Sequence, residues 1–174
     1  NALLFSSAVV LTYLTGRELW DKDTGLYAAM FLLGIPYLFT QVPLMLVDLP
    51  SMFFLMLSIY TFLLALRRGG TMVAIASLSI FLTFFTKYSA WLMLSVIPVM
   101  YAAELYQNRK GAIDRYALRG MIVFFVSFLL ISVVIAFKHD EIAGQIYLLI
   151  SYQMPGLKRW GESFVSTYLF QMHP

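Results

Sequence analysis

Two isolated charged residues are the strongest candidates for chemistry in this chain. Asp48 lies in the apolar stretch Val47-Asp48-Leu49-Pro50, and Lys87 follows the apolar stretch Phe84-Phe85-Thr86. A carboxylate at the boundary between lipid and water can bind a sugar hydroxyl or a metal ion, and a lysine ammonium binds phosphate as a point charge. Charged residues in or beside a membrane span are costly and usually functional. Together the two residues would form a polar site for a substrate held in a lipid bilayer.

Each of these residues also has a simpler structural interpretation. An aspartate followed by Leu-Pro-Ser is typical of a helix start, because aspartate accepts hydrogen bonds from the first free N–H groups and proline suits the first turn. Lys87 can be an anchor whose ammonium reaches water from the end of a span. Capping and function are compatible at Asp48, so both interpretations stay open.

Two other groups contain the residue types of a metal site. Asp21-Lys22-Asp23 has the Asp-x-Asp pattern of metal-dependent nucleotide-sugar enzymes, and His139-Asp140-Glu141 contains three potential ligands. A three-residue pattern is weakly specific, and adjacent residues rarely converge on one ion, so we expect solvated surface residues at both places. His173 has no visible partner in the sequence. We therefore predict no metal site and identify no cofactor, and a requirement for a divalent metal stays open.

The composition identifies an integral membrane protein. Of 174 residues, 61% are hydrophobic and only 12% are charged, with a mean hydropathy of +0.81. A soluble domain has about 25% charged residues. The net charge of +3 is spread over short connectors, which argues against nucleic-acid binding. The chain has no Cys, which excludes structural disulfides and thiolate metal sites.

Apolar segments predict the fold. A transmembrane helix needs about 20 consecutive apolar residues, and the candidates are Ala2–Thr15, Gly25–Leu46, Leu49–Leu66, Thr71–Thr86, Tyr88–Tyr106 and Ala117–Phe137. The third and fourth are expected to form a hairpin turned by Arg67-Arg68-Gly69-Gly70, because glycine supplies the backbone freedom of a tight turn. Hydroxyl side chains inside the spans should bond to helix carbonyl groups. We predict an all-α, polytopic transmembrane bundle of about six spans over residues 1–137.

The basic residues are distributed unequally between the two sides of this bundle. One side has eight of them and the other has four. The eight are Arg17, Lys22, Arg67, Arg68, Arg109, Lys110, Arg115 and Arg119, and the four are Lys87, Lys138, Lys158 and Arg159. Cytoplasmic loops are enriched in Lys and Arg, so the first side is predicted to be cytoplasmic. Asp48, Lys87 and residues 138–174 would then face the periplasm, the ER lumen or the cell exterior.

Residues 138–174 are predicted to form a long extracytoplasmic loop. Its apolar residues recur at helical spacing before Pro155-Gly156 interrupts the pattern, and a second set follows; they are Ile142, Ile146, Leu149 and Ile150, then Phe164, Tyr168 and Leu169. We expect one or two short helices that lie on the membrane surface. The alternative is a seventh span that begins near Ile142 and is cut short by Pro155.

A run of features from Leu3 to about Tyr106 matches a known family in order, spacing and sidedness. The pieces are Tyr13-Leu-Thr-Gly-Arg-Glu-Leu-Trp20, Gly25-Leu-Tyr-Ala-Ala29, Val47-Asp48-Leu49-Pro50, Arg67-Arg68 and Leu82-Thr-Phe-Phe-Thr-Lys87. In this arrangement the chain resembles the protein O-mannosyltransferase and aminoarabinose-transferase family of the glycosyltransferase C superfamily. The resemblance covers over half of the chain, and the remaining basic loop, sixth span and long outer loop fit it in outline.

The resemblance implies a membrane enzyme that moves a sugar from a polyprenyl-phosphate carrier to a hydroxyl of a protein, lipid or glycan acceptor. It also implies chemistry on the extracytoplasmic face of the plasma or ER membrane, inversion of the anomeric centre, and a carboxylate as general base. The family's key acidic residues lie in a first outer loop that we expect to precede Asn1, so the catalytic base stays unknown. Asp48 matches a second acidic position near the site, and Lys87 matches a basic position near the carrier phosphate, where it would stabilise the leaving group. No role is assigned to Phe170–Pro174.

Two other classes of function compete with a transferase. A transporter or lipid flippase would place polar residues on broken helices at the middle of the membrane, whereas the candidate charges here lie at span ends. A non-catalytic scaffold would require no particular order of charges. An acidic pair in an outer loop upstream of Ala2 would discriminate best in favour of the transferase.

Overall fold

The structure, a computed structural model, describes residues 1–36, 48–87, 89–107 and 113–160. Every regular element in these residues is an α-helix, as the sequence predicts. In chain order the helices are α1 (Ala2–Leu19), α2 (Lys22–Leu33), α3 (Asp48–Arg68), α4 (Thr71–Thr86), α5 (Ser89–Met93), α6 (Val96–Gln107), α7 (Ile113–Phe137) and α8 (His139–Trp160). The chain divides into two compact units, Asn1–Ile131 and Ser132–Pro174.

Helices α3 and α4 form the predicted antiparallel hairpin. Gly69 and Gly70 have φ angles of 71° and 61°, in the left-handed region where only glycine is free of strain. A guanidinium N–H of Arg119, on α7, donates to the carbonyls of Leu66 and Arg67 at 2.7 and 2.9 Å. These are carbonyl groups of the last helical turn, which have no partner within the helix. The turn is therefore fixed by its own backbone and by a side chain from another helix.

The core of the first unit surrounds Phe62 of α3. Phe62 is fully buried, and its ring contacts those of Tyr101 on α6 and Phe124 on α7, with centroid distances of 5.9 and 5.4 Å. Aromatic rings at such distances add to the stabilisation that burial itself provides. Buried aliphatic side chains complete the cluster; they are Leu55, Ile59, Ala65, Leu66, Ala76, Ile80, Ile97 and Val123. The core thus joins α3, α4, α6 and α7.

Helices α1 and α2 approach each other closely at two glycines. A Cβ atom on Gly16 would lie 2.7 Å from the Cα of Gly25, and one on Gly25 would lie 2.5 Å from the carbonyl oxygen of Tyr13. Small residues permit this kind of backbone contact between membrane helices. The pair therefore fixes the start of α2 against the end of α1.

Two predicted spans are interrupted in the structure. Gly25–Leu46 was predicted as one span, but α2 ends at Leu33, and Gly34 and Ile35 are not helical. The residue before a proline avoids the helical region, and Pro36 follows. Tyr88–Tyr106 was also predicted as one span, but α5 and α6 are separated by a turn at Leu94 and Ser95. Pro98 explains this break, because its ring clashes with a helical carbonyl four residues earlier. Residues 37–47 lie outside the described residues.

Two of the described helices are long and apolar enough to cross a membrane, namely α3 and α7, and α4 is a shorter apolar helix. The hairpin helix α4 has the predicted bounds Thr71–Thr86. The other spans of the six-span bundle, and the side of the membrane on which residues 138–174 lie, stay predictions.

In the second unit, α8 runs without interruption through Pro155 and Gly156. The prediction that the helix breaks there is wrong, because a proline removes one backbone hydrogen bond and does not always end a helix. Phe164, Tyr168, Leu169 and Phe170–Pro174 lie outside the described residues.

Candidate functional site

The ammonium of Lys87 and the carboxylate of Asp48 form an ion pair, Nζ to Oδ1. Asp48 is the first residue of α3 and Lys87 follows the last residue of α4, so the antiparallel hairpin brings them to one end. The sequence-based prediction that these two residues share one end of the bundle is confirmed. The carboxylate side chain is 50% exposed and the lysine side chain 25% exposed, so both can be reached by a ligand from water.

The backbone holds Lys87 in a defined turn. Its φ and ψ angles of −159° and 139° are extended, which ends α4, and its carbonyl oxygen accepts a hydrogen bond from the N–H of Ala90 at 3.0 Å. The indole N–H of Trp91, on α5, donates to the carbonyl oxygen of Phe84 at 2.7 Å. The Trp91 and Phe84 rings also stack, with centroids 4.8 Å apart and planes 12° from parallel. Trp91 therefore connects α5 to the end of α4, and Lys87 lies in the turn between these two helices.

Apolar side chains lie beside this ion pair. The rings of Phe81, Phe84 and Phe85 form edge-on contacts along α4, and Phe85, Trp91 and Leu92 are exposed. An ionic pair next to an exposed apolar surface suits an amphiphile that has a charged headgroup and a hydrocarbon chain. It equally suits the boundary between water and lipid, where tryptophan is enriched.

Hydroxyl groups inside α3 and α4 are engaged in hydrogen bonds. Ser58 and Thr83 bond to each other across the hairpin at 2.8 Å, and both are buried. The two hydroxyl oxygens also lie 2.8 Å from the carbonyl oxygens of Phe54 and Ser79, four residues earlier on their own helices. Because each hydroxyl has one proton, one of them donates across the hairpin while the other donates to its helix carbonyl. The prediction that such hydroxyls bond to helix carbonyls or to neighbouring helices is confirmed at these positions. They stabilise the hairpin and are not arranged as a nucleophile with a base.

The opposite end of the hairpin contains an ionic cluster that the sequence analysis missed. We call it the basic end and define it as Glu18, Arg67, Arg68, Glu104 and Arg119. The Arg67 guanidinium lies 2.9 Å from a buried carboxylate oxygen of Glu104 and 3.4 Å from the carboxylate of Glu18. It also donates to the backbone carbonyl of Glu18. This cluster ties α1, α3 and α6 together, with Arg119 adding α7.

A signal for this cluster was present in the sequence. Glu104 is a single carboxylate near the end of an apolar segment, which is the feature that drew attention to Asp48. Its partner Arg67 could not be identified from sequence, because the two residues are joined by the packing of α6 against α3, which neither local sequence encodes.

The other sequence-based metal candidates have structural roles. The Asp21 carboxylate accepts a hydrogen bond from the N–H of Thr24 at 2.7 Å and caps α2. This hydrogen bond lowers the pKa of Asp21 below its ordinary value. His139 pairs with Asp140 at 2.9 Å, whereas Glu141 pairs with Lys138 at 2.7 Å. Within the described residues no three side chains are grouped as ligands of a metal ion, and His173 lies outside that part of the chain.

A comparison with protein families finds a match over residues 1–148, which is most of the chain. The matching family is described as dolichyl-phosphate-mannose-protein mannosyltransferase. Comparisons with curated proteins and with solved structures give no match. Because the family match covers well over half of the sequence, and because α3 and α7 suit a membrane, the chain belongs to the dolichyl-phosphate-mannose-protein mannosyltransferase family of membrane glycosyltransferases.

Proposed function

We propose that this multi-pass protein of the plasma or ER membrane transfers mannose from a polyprenyl-phosphate carrier to a hydroxyl group on an acceptor protein, at the extracytoplasmic face. Family membership supports the donor class and the type of reaction. The observation that carries the proposal of a site is the exposed ion pair of Asp48 and Lys87 beside apolar side chains. A lipid-linked phosphate has the matching chemistry, because its headgroup is anionic and its tail is apolar.

The distribution of charge supports the proposed side of the membrane. Arg67, Arg68 and Arg119 lie at the basic end, whereas Asp48 and Lys87 lie at the other end of the same hairpin. Since cytoplasmic loops are enriched in Lys and Arg, the basic end is assigned to the cytoplasm. The ion pair is therefore assigned to the extracytoplasmic surface.

In the proposed reaction the acceptor oxygen attacks the anomeric carbon while the bond from that carbon to the carrier phosphate breaks. Negative charge develops on the phosphate oxygen, and the Lys87 ammonium is placed to stabilise it. Asp48 orients that ammonium from the start of α3. The base that removes the acceptor proton is not assigned to a residue of this chain.

Replacing Lys87 with alanine tests the site. A charge-assisted contact contributes about 1.5–3 kcal/mol, so Lys87→Ala in the full-length protein should lower kcat/KM for the lipid-linked donor by about ten- to hundredfold. Lys87→Arg should recover part of this loss. Lys22→Ala is the matched control, because Lys22 is an exposed lysine at the start of α2.

The same measurements separate the proposal from its competitors. If the Lys87→Ala protein folds and its kinetics with the donor are unchanged, Lys87 is only a membrane anchor. A transporter or flippase would move the carrier across vesicles without forming mannosylated product. The family match favours the transferase over that alternative.

A further inference from the structure

Lys87 is already paired with an anion of the protein itself. The Asp48 carboxylate occupies one side of the ammonium, and that carboxylate is twice as exposed as the lysine side chain. A phosphate group that binds Lys87 therefore comes close to the negative charge of Asp48. Lysine has three N–H donors, so it can hold both anions at once, but the two anions repel each other.

The reaction changes the charge of the carrier. A phosphodiester such as the lipid-linked sugar donor has a single negative charge. During transfer the anomeric carbon loses its bond to the carrier oxygen, which keeps the electron pair, and gains a bond to the acceptor oxygen, whose proton goes to a base. The carrier becomes a phosphomonoester, with about −1.5 to −2 charges at pH 7.

We propose that Asp48 discriminates the singly charged donor from the more highly charged product, and so promotes release of the carrier phosphate after transfer. This inference rests on the proposed function. Lys87 attracts both forms of the carrier. The Asp48 carboxylate repels the phosphate of both forms, and the repulsion is stronger for the product because its phosphate has more negative charge. When the product leaves, Lys87 keeps Asp48 as its partner.

The size of the effect follows from Coulomb's law. Repulsion between unit charges about 4 Å apart in a water-like medium changes binding by about fivefold per charge. Removing the Asp48 charge should therefore tighten binding of a phosphodiester by about fivefold. It should tighten binding of a phosphomonoester by about ten- to twenty-fivefold, because that ligand has up to twice the charge.

The test is equilibrium binding of two soluble probes to the full-length protein in lipid nanodiscs. Citronellyl phosphate represents the product, and its methyl ester, a phosphodiester, represents the donor charge. Asp48→Asn is the main variant, because Asn has the size of Asp and keeps an acceptor oxygen but has no charge. Asp48→Glu keeps the charge and should keep the discrimination of the unaltered protein. Asp23→Asn, an exposed carboxylate on α2, is the matched control.

The expected result is that Asp48→Asn tightens the monoester two- to fivefold more than the diester, with stronger product inhibition during turnover. Equal changes for both probes would overturn the inference while leaving the site intact, provided that Lys87→Ala weakens both. If Lys87→Ala changes neither probe, the proposed site itself fails. Should Asp48→Asn not accumulate as folded protein, Asp48→Ser replaces it, with the same two outcomes.

Discussion

Replacing Arg67 with methionine tests how strongly the basic end stabilises the bundle. The change leaves the Glu104 carboxylate, whose side chain is only 5% exposed, without a guanidinium at 2.9 Å. Removing one partner of a buried ion pair costs about 3–5 kcal/mol. Arg67 is itself 27% exposed, and Glu104 has a further interaction. We therefore expect Arg67→Met to lower the free energy of unfolding by about 2–3 kcal/mol.

The reverse change, Glu104→Gln, should cost less. Glutamine keeps the shape of the side chain, and the guanidinium that remains is partly exposed and still contacts Glu18. We expect the free energy of unfolding to fall by about 1.5–2 kcal/mol, the lower part of the range of about 1.5–3 kcal/mol for a charge-assisted hydrogen bond. Arg67→Met should be the more destabilising of the two variants, because the charge that loses its guanidinium or carboxylate partner is more buried at Glu104 than at Arg67. A charge that loses its partner costs more the less water it can reach.

Thermal unfolding of the detergent-solubilised protein measures both losses. About 2–4 °C of Tm per kcal/mol predicts that Arg67→Met lowers Tm by about 4–12 °C. Arg68→Met is the matched control, because Arg68 is the neighbouring arginine, is 61% exposed and lies 3.9 Å from Glu18. It should lower Tm by less than about 2 °C. Equal Tm values for the two arginine variants would refute the reasoning from burial.

Three further predictions follow from the hairpin and its neighbours. Trp91→Phe keeps the ring stack but removes a hydrogen bond of about 0.5–1.5 kcal/mol, so the KM for the donor should rise two- to tenfold with little change in kcat. Trp91→Leu also removes the stack and should raise this KM further. A donor KM equal to that of the unaltered protein in both variants would exclude a positioning role for Trp91. Gly25→Ala should lower Tm, because the new Cβ would lie 2.5 Å from a carbonyl oxygen. Gly144→Ala is the control and should leave Tm unchanged, because no atom of the described residues lies near that position. An unchanged Tm in both variants would refute the close contact of α1 and α2. Cysteines at Arg68 and Lys138, both exposed, should react with an impermeant thiol reagent from opposite sides of a sealed vesicle, and reaction from the same side would reject the topology.

The hairpin was predictable from sequence because each of its parts has a local cause. Two consecutive glycines between long apolar segments indicate a tight turn, and α4 begins and ends where its apolar segment does. Once the hairpin is predicted, Asp48 and Lys87 must lie at the same end, since they flank two antiparallel helices. Their placement at one end of the hairpin needed no information from the rest of the chain.

Proline positions were harder to interpret. Pro36 and Pro98 coincide with interruptions of predicted spans, yet α8 continues through Pro155. Each proline lacks the backbone N–H that would donate a helix hydrogen bond, and whether the helix continues depends on other contacts that compensate for this loss. Glu104 was missed for a related reason. Its burial depends on Arg67, and the packing of α6 against α3 that joins them is not written in either local sequence.

The two ionic clusters use similar chemistry but differ in how deeply they are buried. Glu104 is almost fully buried and Asp48 is half exposed. An exposed ion pair contributes only about 0–1 kcal/mol to stability, so a ligand can bind Lys87 beside Asp48 without loss of the fold. The buried pair at the basic end is less open to a ligand, because any incoming group must first be stripped of water. The hairpin therefore separates an end whose buried ion pair holds helices together from an exposed end where we propose that substrate binds.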